Sequence, residues 1–447
     1  MRGLKSTLAL LLVLVGLGSY IYFVTWKQPE GGSTSSQEKV FATLDKDKVD
    51  EVKVKSESGD VTNVKKDGDS WQIVSPITAA ASTSEVSALT SAVGQAEIVR
   101  VIDENPTNLG EYGLAPPRVD VELKSGGQTV GRLLVGEKTP TGASLYAIKN
   151  DEKRVILIQA YSESSLNRST FDLRDKTLIK LARDKIQGLD LTTGGTTLKL
   201  AKKDSMWRVT SPIDARADFS VSEGVIGRVE TAQVKSIVTE NAAAADLGKY
   251  GLDKPDILVS IDLSGSRGVV AFGSKAPDGS VYARDAASSL VATVESTLVD
   301  DFRKTLDNFR TKDVFEFRAY NTTRAEIVRD GKTWVVERVK TEGDKPDQWK
   351  RVSPSAADLD KAKVDTLLTS LAEFRATSFA DPKDVKGGDK PEMVVTVKFD
   401  EGKKEEKAVV SKSGDTVYAS RPDDFGAATV DLEKLNEVIK TLDELLK

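Results

Sequence analysis

Cysteine and histidine are both absent from this chain of 447 residues. The absence of cysteine excludes disulfides, thiolate metal sites and a cysteine nucleophile. It also removes the lipid-acceptor residue that a bacterial lipoprotein needs. The absence of histidine removes the commonest metal ligand and the side chain best suited to proton transfer near neutral pH. Carboxylates, lysine or tyrosine could still act in catalysis, but the commonest catalytic groups are missing.

A surplus of positive charge is also lacking, because 64 lysines and arginines stand against 69 aspartates and glutamates. Residues 1–27 hold basic side chains and no acid, so the rest of the chain is more acidic than the net charge of −5 suggests. Nucleic-acid binding needs a basic surface to neutralise phosphates. We therefore expect no nucleic acid among the partners. Hydrophobic residues at 39% and charged residues at 30% are typical of a globular body.

The N-terminal segment is apolar. Residues 7–26 carry no charge and number 20, so as a helix they would span about 30 Å, the thickness of the bilayer's hydrocarbon core. Arg2 and Lys5 precede the segment, and the positive-inside rule then places the N-terminus in the cytoplasm. Aromatic side chains gather at the far end, as they do at membrane interfaces. The pattern predicts a single-pass helix in the lipid bilayer.

We predict a transmembrane anchor over residues 1–27 and a flexible, polar tether over residues 28–39. The alternative is a cleaved signal peptide, with Gly16 and Gly18 as small residues before the cut. The apolar run 20–24 would then begin the mature chain, which favours the anchor. Both alternatives place the body outside the cytoplasm, and the anchor predicts an inner-membrane protein with a periplasmic body.

Three copies of one sequence unit follow the tether. The pattern Trp-x-x-x-Ser-Pro begins at Trp71, Trp207 and Trp349, roughly 140 residues apart, which is the size of a domain rather than of a solenoid repeat. Downstream of each tryptophan, apolar residues recur at steps of four and three, the spacing of one helix face. The matched residues are Leu89, Val93 and Ala96; Val225, Val229 and Ala232; and Leu367, Leu371 and Phe374.

Two tyrosine motifs complete the unit. Residues 109–114 read LGEYGL and residues 247–252 read LGKYGL, whereas the third copy has KGGDKP at 386–391. Alternating segments that predict strands come next, at 119–123, 257–263 and 394–399. Each leads to a Tyr-Ala pair, which begins at Tyr146, Tyr282 and Tyr418.

These patterns predict an α+β fold, in which the N-terminal transmembrane helix is followed by three tandem copies of an antiparallel-sheet-plus-helices domain. The predicted domains are 40–176, 177–312 and 313–447. Each copy is expected to close on a helix, most clearly at 432–446. The extra charged stretch 337–348 of the third copy is expected to form an exposed hairpin tip.

Repeated motifs need not be functional sites. The Trp–Ser–Pro element is best interpreted as a core tryptophan at a strand end with a turn after it, and the Tyr-Gly-Leu element as a turn that needs glycine at positive φ. Paired acids are expected on solvated faces, and two Asp-x-Asp motifs do not fit a calcium loop. We therefore predict no catalytic, cofactor-binding or metal-binding residue. The acids are Asp103-Glu104, Asp172 with Asp175, and Asp300-Asp301, and the Asp-x-Asp motifs are 67–69 and 358–360.

The Trp–Ser–Pro element, the Leu-Gly-x-Tyr-Gly-Leu element, the Tyr-Ala strands and FDLRDK at 171–176 carry a family resemblance. On these residues the chain resembles a bacterial family known as domain of unknown function 4340. The resemblance covers roughly residues 40–447 by the internal repeat. It implies a single-anchor accessory protein associated with ABC-type export systems of the gliding-motility kind, and it implies no catalytic residues.

Three functions are compatible with the sequence. The first is a non-enzymatic accessory or scaffold of an envelope or ABC-type transport complex, with protein partners among the transporter components. The second is a multivalent module that binds envelope polymers such as glycans, which predicts equivalent aromatic grooves in all three copies. The third is a carboxylate-dependent hydrolase, which requires two acids facing each other in one cleft. Function has to be argued from sites, and we expect the first.

Overall fold

The computed structural model describes residues 38–340 and 347–446. The predicted anchor at 7–26 and most of the predicted tether lie outside the described residues. No helix within these residues is long and apolar enough to cross a membrane. The chain divides into two compact units, of which one ends at Lys176 and the other begins at Thr177. The predicted domain boundaries remain predictions, although each sheet lies within one of the three predicted ranges.

Three antiparallel sheets of nine strands dominate the described structure. The first sheet contains β1 (Glu51–Lys55), β2 (Val61–Asp67), β3 (Ser70–Ser75), β4 (Ala79–Ala80), β5 (Arg100–Asp103), β6 (Val119–Ser125), β7 (Gln128–Lys138), β8 (Ser144–Lys149) and β9 (Val155–Gln159). The second contains β10 (Ile186–Thr193), β11 (Thr196–Lys203), β12 (Met206–Ser211), β13 (Ala215–Arg216), β14 (Ser236–Thr239), β15 (Ile257–Leu263), β16 (Ser266–Lys275), β17 (Val281–Asp285) and β18 (Val291–Val294). The third contains β19 (Thr322–Arg329), β20 (Lys332–Val339), β21 (Gln348–Ser353), β22 (Ala357–Leu359), β23 (Ser378–Ala380), β24 (Met393–Phe399), β25 (Lys404–Ser413), β26 (Thr416–Ser420) and β27 (Ala427–Val430).

The strand order is the same in all three sheets. In the first it runs β4-β3-β2-β1-β6-β7-β8-β9-β5, and the corresponding strands follow that order in the other two. The first strand of each repeat therefore lies inside the sheet, between its hairpin partner and a strand from the second half of the repeat. The two edge strands of every sheet are short, with two to four residues each. The three tandem domains that the sequence pattern predicts are thus supported, with helices as a minor component.

Each sheet is accompanied by one 12-residue helix and by short helical segments, and the third sheet also by a helix of 15 residues. The helices are α1 (Thr83–Gly94), α2 (Glu163–Leu166), α3 (Thr170–Leu173), α4 (Phe219–Glu230), α5 (Ser296–Asp300), α6 (Leu306–Phe309), α7 (Lys361–Ala372) and α8 (Leu432–Leu446). Short 3₁₀ segments are Lys46–Lys48, Leu109–Tyr112, Ala160–Ser162, Arg183–Lys185, Ala244–Tyr250 and Pro382–Asp384.

The long helices α1, α4 and α7 begin at matched N-caps. The side chains of Ser82, Asp218 and Asp360 each accept a hydrogen bond from the backbone N–H three residues later, which satisfies a donor that the first helical turn leaves free. All nine residues of the predicted helix face are buried, so that prediction is confirmed. The last of each trio lies two residues beyond the end of its helix.

The core of the first repeat lies between the sheet and α1. Val86, Leu89 and Val93 of the helix are fully buried against inward-facing strand residues such as Val52 and Val121. The strands show the alternation that one buried face requires. The predicted strands at 119–123, 257–263 and 394–399 are all present.

The Trp–Ser–Pro element is structural in each repeat. Trp71, Trp207 and Trp349 are buried, and the strand that carries each tryptophan ends at the serine before the proline. The Ser–Pro peptide bond is cis in all three copies. The interpretation of this element as a core tryptophan and a turn is confirmed.

Each copy closes on a helix, as predicted, but in the first two copies this helix is a single turn. These copies end in the four-residue helices α3 and α6, each with a capping box in which Ser169 or Thr305 exchanges hydrogen bonds with the residue three positions later. After this single turn the chain becomes extended at Arg174 and Arg310. Only the third repeat closes on a long helix, α8.

The charged stretch 337–348 is partly strand. Val339 pairs with Gln348 across β20 and β21, so a hairpin is present and Glu337 lies within its first strand. Residues 341–346, where the predicted tip falls, lie outside the described residues.

Candidate functional site

The repeated tyrosines pack against each other. Tyr112 and Tyr146 have ring centroids 5.0 Å apart, and Tyr250 and Tyr282 repeat this arrangement at 5.0 Å. Each pair belongs to a small apolar cluster on the opposite face of its sheet from the main core. The third repeat has no tyrosine to match the first of each pair, so this aromatic pair is a feature of two repeats.

A glycine in each tyrosine motif has the predicted left-handed conformation, with φ of 67° at Gly113 and at Gly251. A second glycine lies against the motif from the neighbouring strand. A Cβ on Gly136 or Gly273 would lie 2.1 Å from the carbonyl oxygen of the tyrosine in the motif. Glycine is therefore required there for close packing of two backbones.

The paired acids serve local structure. Asp172 accepts hydrogen bonds from Ser169 in the capping box of α3, and although burial acts to raise its pKa, these bonds lower the pKa. Asp301 pairs with Arg228 at 2.8 Å, and Asp103 accepts a 3.5 Å hydrogen bond from the hydroxyl of Tyr112. No group of three or more acids that could hold a metal ion is found in the described part of the chain.

The second compact unit contains a cleft of about 920 Å³ where the second repeat meets the third. Strands β12 and β13 and the start of α4 form one wall, and the loop 421–425 with part of β25 forms the other. Two large apolar side chains lie open at the first wall, Met206 at 55% and Phe219 at 60% exposed. Exposed apolar side chains beside a cleft are a common feature of binding surfaces.

Buried arginines lie at this junction, where Arg216 and Arg421 line the floor of the cleft and Arg310 lies behind it. Arg216 is 7% exposed; its backbone N–H and its Nε donate to Asp424 at 3.2 and 3.4 Å, and its guanidinium also donates to the carbonyl oxygen of Asp313 at 2.8 Å. Arg310 donates to the carbonyl oxygen of Phe425 at 2.6 Å and to Asp424 at 3.4 Å. Asp424 of the third repeat thus accepts from two arginines that precede that repeat's sheet, and it fastens the two repeats together.

Arg421 completes the floor from the same loop. It makes a two-pronged contact with Asp423, at 2.9 Å for both bonds, and pairs with Glu406 at 3.1 Å. Glu406 is 5% exposed and also accepts from the backbone N–H groups of Glu316 and Phe317. A buried carboxylate is stable when several donors surround it in this way.

The electrostatics of the floor favour fixed charges rather than proton transfer. Burial acts to lower the pKa of Arg421, but the bonds to Asp423 and the charge of Glu406 outweigh it and raise the pKa. Burial likewise acts to raise the pKa of Asp423, and Arg421 outweighs it, so the pKa is lowered. A general acid needs a raised carboxyl pKa, which is the opposite of what Asp423 has. Burial lowers the pKa of Arg310.

None of the floor residues was singled out from the sequence, although two signals were present. Glu406 alternates with Ala408 and Val410 on β25 and therefore occupies a position on the core-facing side of that strand. The loop that begins at Arg421 reads RPDDFG, whereas the corresponding loops of the other two copies read NDEKR and AASSL. A charged residue on a buried strand face requires a partner, and the loop supplies one.

The fold and the cleft define a class of protein, namely tandem repeats of a nine-stranded antiparallel sheet whose second and third copies are joined by a buried network of ion pairs. The model of a family described as domain of unknown function (DUF4340) matches residues 71–206 and 207–391. The chain belongs to this family.

Other comparisons add little. No curated protein matches the chain. Two crystal structures of the DNA polymerase sliding clamp from Pseudomonas aeruginosa, one of them with ligand, align at 8% and 6% identity over 88% of this chain and 93% of that chain. The TM-score is 0.16 in both cases, and an alignment at that level carries no argument about fold or function.

Proposed function

We propose that this protein is a non-enzymatic, membrane-anchored scaffold of an envelope or ABC-type transport complex. Residues 7–26 would anchor it in the inner membrane with the body on the periplasmic side. The body would contact a transporter component through the cleft between the second and third repeats. The uncharged N-terminal segment of 20 residues supports the anchor.

The observation that carries the proposal is the combination of exposed apolar side chains with a rigid floor. Met206 and Phe219 are more than half exposed at the wall of the cleft, so covering them would remove apolar surface from water. The ion pairs beneath them hold the two walls in one arrangement, which limits the conformational entropy that a partner has to overcome on binding. Protein interfaces commonly place an apolar centre inside a polar rim.

The cleft offers binding rather than chemistry. Its carboxylates Glu406, Asp423 and Asp424, of which Asp423 is half exposed, are each paired with an arginine. A nucleophile needs a nearby base that activates it, and the commonest base, histidine, is absent from the sequence. These points support a scaffold over a hydrolase.

The test is photo-crosslinking in cells that express the full-length chain. A photoreactive phenylalanine analogue replaces Phe219, and the matched control carries it at Tyr161, which is 80% exposed in the first repeat. We expect the Phe219 position to capture a permease subunit of an ABC-type transporter and the Tyr161 position to capture none. Capture should also be lost when residues 1–27 are replaced by a cleavable signal peptide.

Substitution gives an independent measurement. Phe219→Ala should reduce co-purification of the transporter subunit, whereas Val238→Ala, which removes a 38% exposed side chain elsewhere in the second repeat, should leave it unchanged. Equal recovery with both variants, or crosslinking to no transporter subunit, would overturn the proposal.

A further inference from the structure

The third repeat contains a pocket of about 690 Å³ beside helix α7. Arg318, Ala319 and Tyr320 line it from the segment before β19, and Asp365 and Ala372 line it from the helix. Tyr320 is 78% exposed, so the pocket is open to solvent on that side. The second repeat shows how the same place can be filled.

In the second repeat a glutamate of the long helix occupies the corresponding position. Glu223 accepts a hydrogen bond from Trp207 Nε1 at 2.8 Å and pairs with Lys202 at 3.0 Å. Arg183 pairs with Glu223 at 2.7 Å and also with Glu230. The indole N–H, a lysine and an arginine are therefore all satisfied by acids of the same repeat.

The third repeat has shorter side chains at all three corresponding positions. Glu223 and Glu230 are the fifth and last residues of α4, and the fifth and last residues of α7 are Asp365 and Ala372. Arg183 corresponds to Ala319. A turn closed by a backbone hydrogen bond precedes the first strand of each repeat, and each of these two residues directly follows the residue whose carbonyl oxygen accepts that bond. Replacement of two long acids and an arginine by an aspartate and two alanines leaves the pocket.

The third repeat has a cation and an indole N–H like those of the second repeat, but not the glutamate that accepts hydrogen bonds from them. Arg338 lies over the ring of Trp349 at 5.0 Å, as Lys202 lies over the ring of Trp207 at 4.8 Å. Asp365 pairs with Lys361 instead. Among the residues that the structure describes, Trp349 Nε1 and Arg338 Nε are buried without a hydrogen-bond partner, and an unsatisfied buried donor is unfavourable.

In the part of the chain that the structure describes, Arg338 bonds to backbone oxygens rather than to an acid. Its terminal nitrogens donate to the backbone carbonyl oxygens of Ala319 and Tyr320, and in the described ranges no carboxylate pairs with it. A guanidinium prefers the geometry of a carboxylate, which accepts from two of its N–H groups at once. The pocket therefore presents the Arg338 guanidinium, with the indole of Trp349 beneath it. The carboxylates that line the pocket pair with other cations, namely Asp313 with Arg375, Asp365 with Lys361 and Glu373 with Lys434.

We propose that the pocket binds the carboxylate of a glutamate side chain presented by a protein partner. The carboxylate takes the place that Glu223 has in the second repeat, between the cation and the indole N–H. Trp349 is 1% exposed, so the Arg338 side chain shifts to admit the ligand to Nε1. That the carboxylate is carried by a protein rests on the proposed scaffold function, whereas recognition of the carboxylate itself does not.

The experiment uses the indole N–H signals of the ¹⁵N-labelled full-length chain, which has five tryptophans. Loss of one signal in Trp349→Phe assigns the residue. The probe is glutamate blocked at both ends as N-acetyl and N-methylamide, and the neutral control is the same derivative of glutamine. We expect the glutamate probe to move the Trp349 signal downfield, and we expect the Trp207 signal to stay fixed because Glu223 already occupies its site.

Asp365→Glu restores the side chain of the second repeat. We expect this variant to show the downfield Trp349 signal without any probe and to bind the probe at least about tenfold more weakly, with the other indole signals unchanged as evidence of folding. Arg338→Gln should also abolish binding. A second probe, glucuronate, tests a glycan as the source of the carboxylate.

The outcomes separate the inference from the scaffold proposal. A response to glucuronate and none to the glutamate probe would overturn the protein source. No movement of the Trp349 signal with either probe, or the same signal in Asp365→Glu as in the unmodified chain, would overturn the carboxylate site. Crosslinking from Phe219 tests the scaffold separately, because Phe219 lies in the cleft and not in this pocket.

Discussion

Removal of the buried carboxylate of Glu406 should destabilise the second compact unit strongly. In Glu406→Ala, the backbone N–H groups of Glu316 and Phe317 lose acceptors at 2.9–3.3 Å, and Arg421 loses an ion pair at 3.1 Å. An unsatisfied buried donor costs about 1–3 kcal/mol, and a buried ion pair broken on one side costs about 3–5 kcal/mol. These effects overlap, and Arg421 retains Asp423, so we expect a loss of about 3–5 kcal/mol.

The matched control is the preceding residue of the strand, Glu405. Glu405 points to the other face, where its side chain is 55% exposed and pairs with Lys398 at 3.5 Å. An exposed ion pair contributes about 0–1 kcal/mol, so Glu405→Ala should change little. Chemical denaturation of both variants, with hydrogen exchange to locate the weakened amides, measures the difference.

Two results would refute the reasoning. One is a loss below about 1 kcal/mol in Glu406→Ala, since the floor would then resemble a surface ion pair. The other is unchanged exchange at the amides of Glu316 and Phe317. A double variant with methionine at Glu406 and Arg421 should lose less than the sum of the single methionine variants, because removal of both partners leaves no unpaired charge.

Three further predictions concern the second repeat and its junction. In thermal denaturation, Gly273→Ala should destabilise the repeat, because the new Cβ would lie 2.1 Å from the carbonyl oxygen of Tyr250. Gly224 is at an open position in α4, so Gly224→Ala should instead stabilise the repeat by roughly 0.5–1 kcal/mol in this assay. Asp218→Ala should cost about 1 kcal/mol through loss of the N-cap of α4, and an unchanged unfolding midpoint would contradict this. The pKa of Asp423 is lowered from 3.8, so its carboxylate stabilises the fold above that pH, and this contribution is lost as the pH falls further. Between about pH 4 and pH 2, the stability of Asp423→Asn should therefore decline less than that of the unmodified chain.

The elements of each repeat could be predicted because their signals are local. Apolar residues at helical spacing defined α1, α4 and α7, and alternation defined strands such as β6. Repetition of these signals in three copies reduced the chance of a wrong assignment. The closing helices are present, but their shortness in the first two copies was not predicted, because the capping boxes at Ser169 and Thr305 begin helices that end after one turn.

The candidate sites could not be predicted because they depend on contacts between distant residues. Arg216 and Asp424 are 208 positions apart in the chain, and nothing near either residue indicates the other. The pocket of the third repeat depends on the difference between Glu223 and Asp365, which a comparison of the copies can show. That the difference leaves Trp349 Nε1 without an acceptor follows only from the packing around it.

The short edge strands limit strand exchange and aggregation in a chain that carries three similar domains in tandem. An exposed edge is a template for strands of another molecule or of a neighbouring copy, and similar neighbours are prone to exchange strands while they fold. Here the outermost strands, such as β4 with two residues and β5 with four, offer few free backbone groups. The long strands, such as β7 with 11 residues, are paired on both sides. The repeat can therefore be duplicated along one chain with little risk of aggregation through its edges.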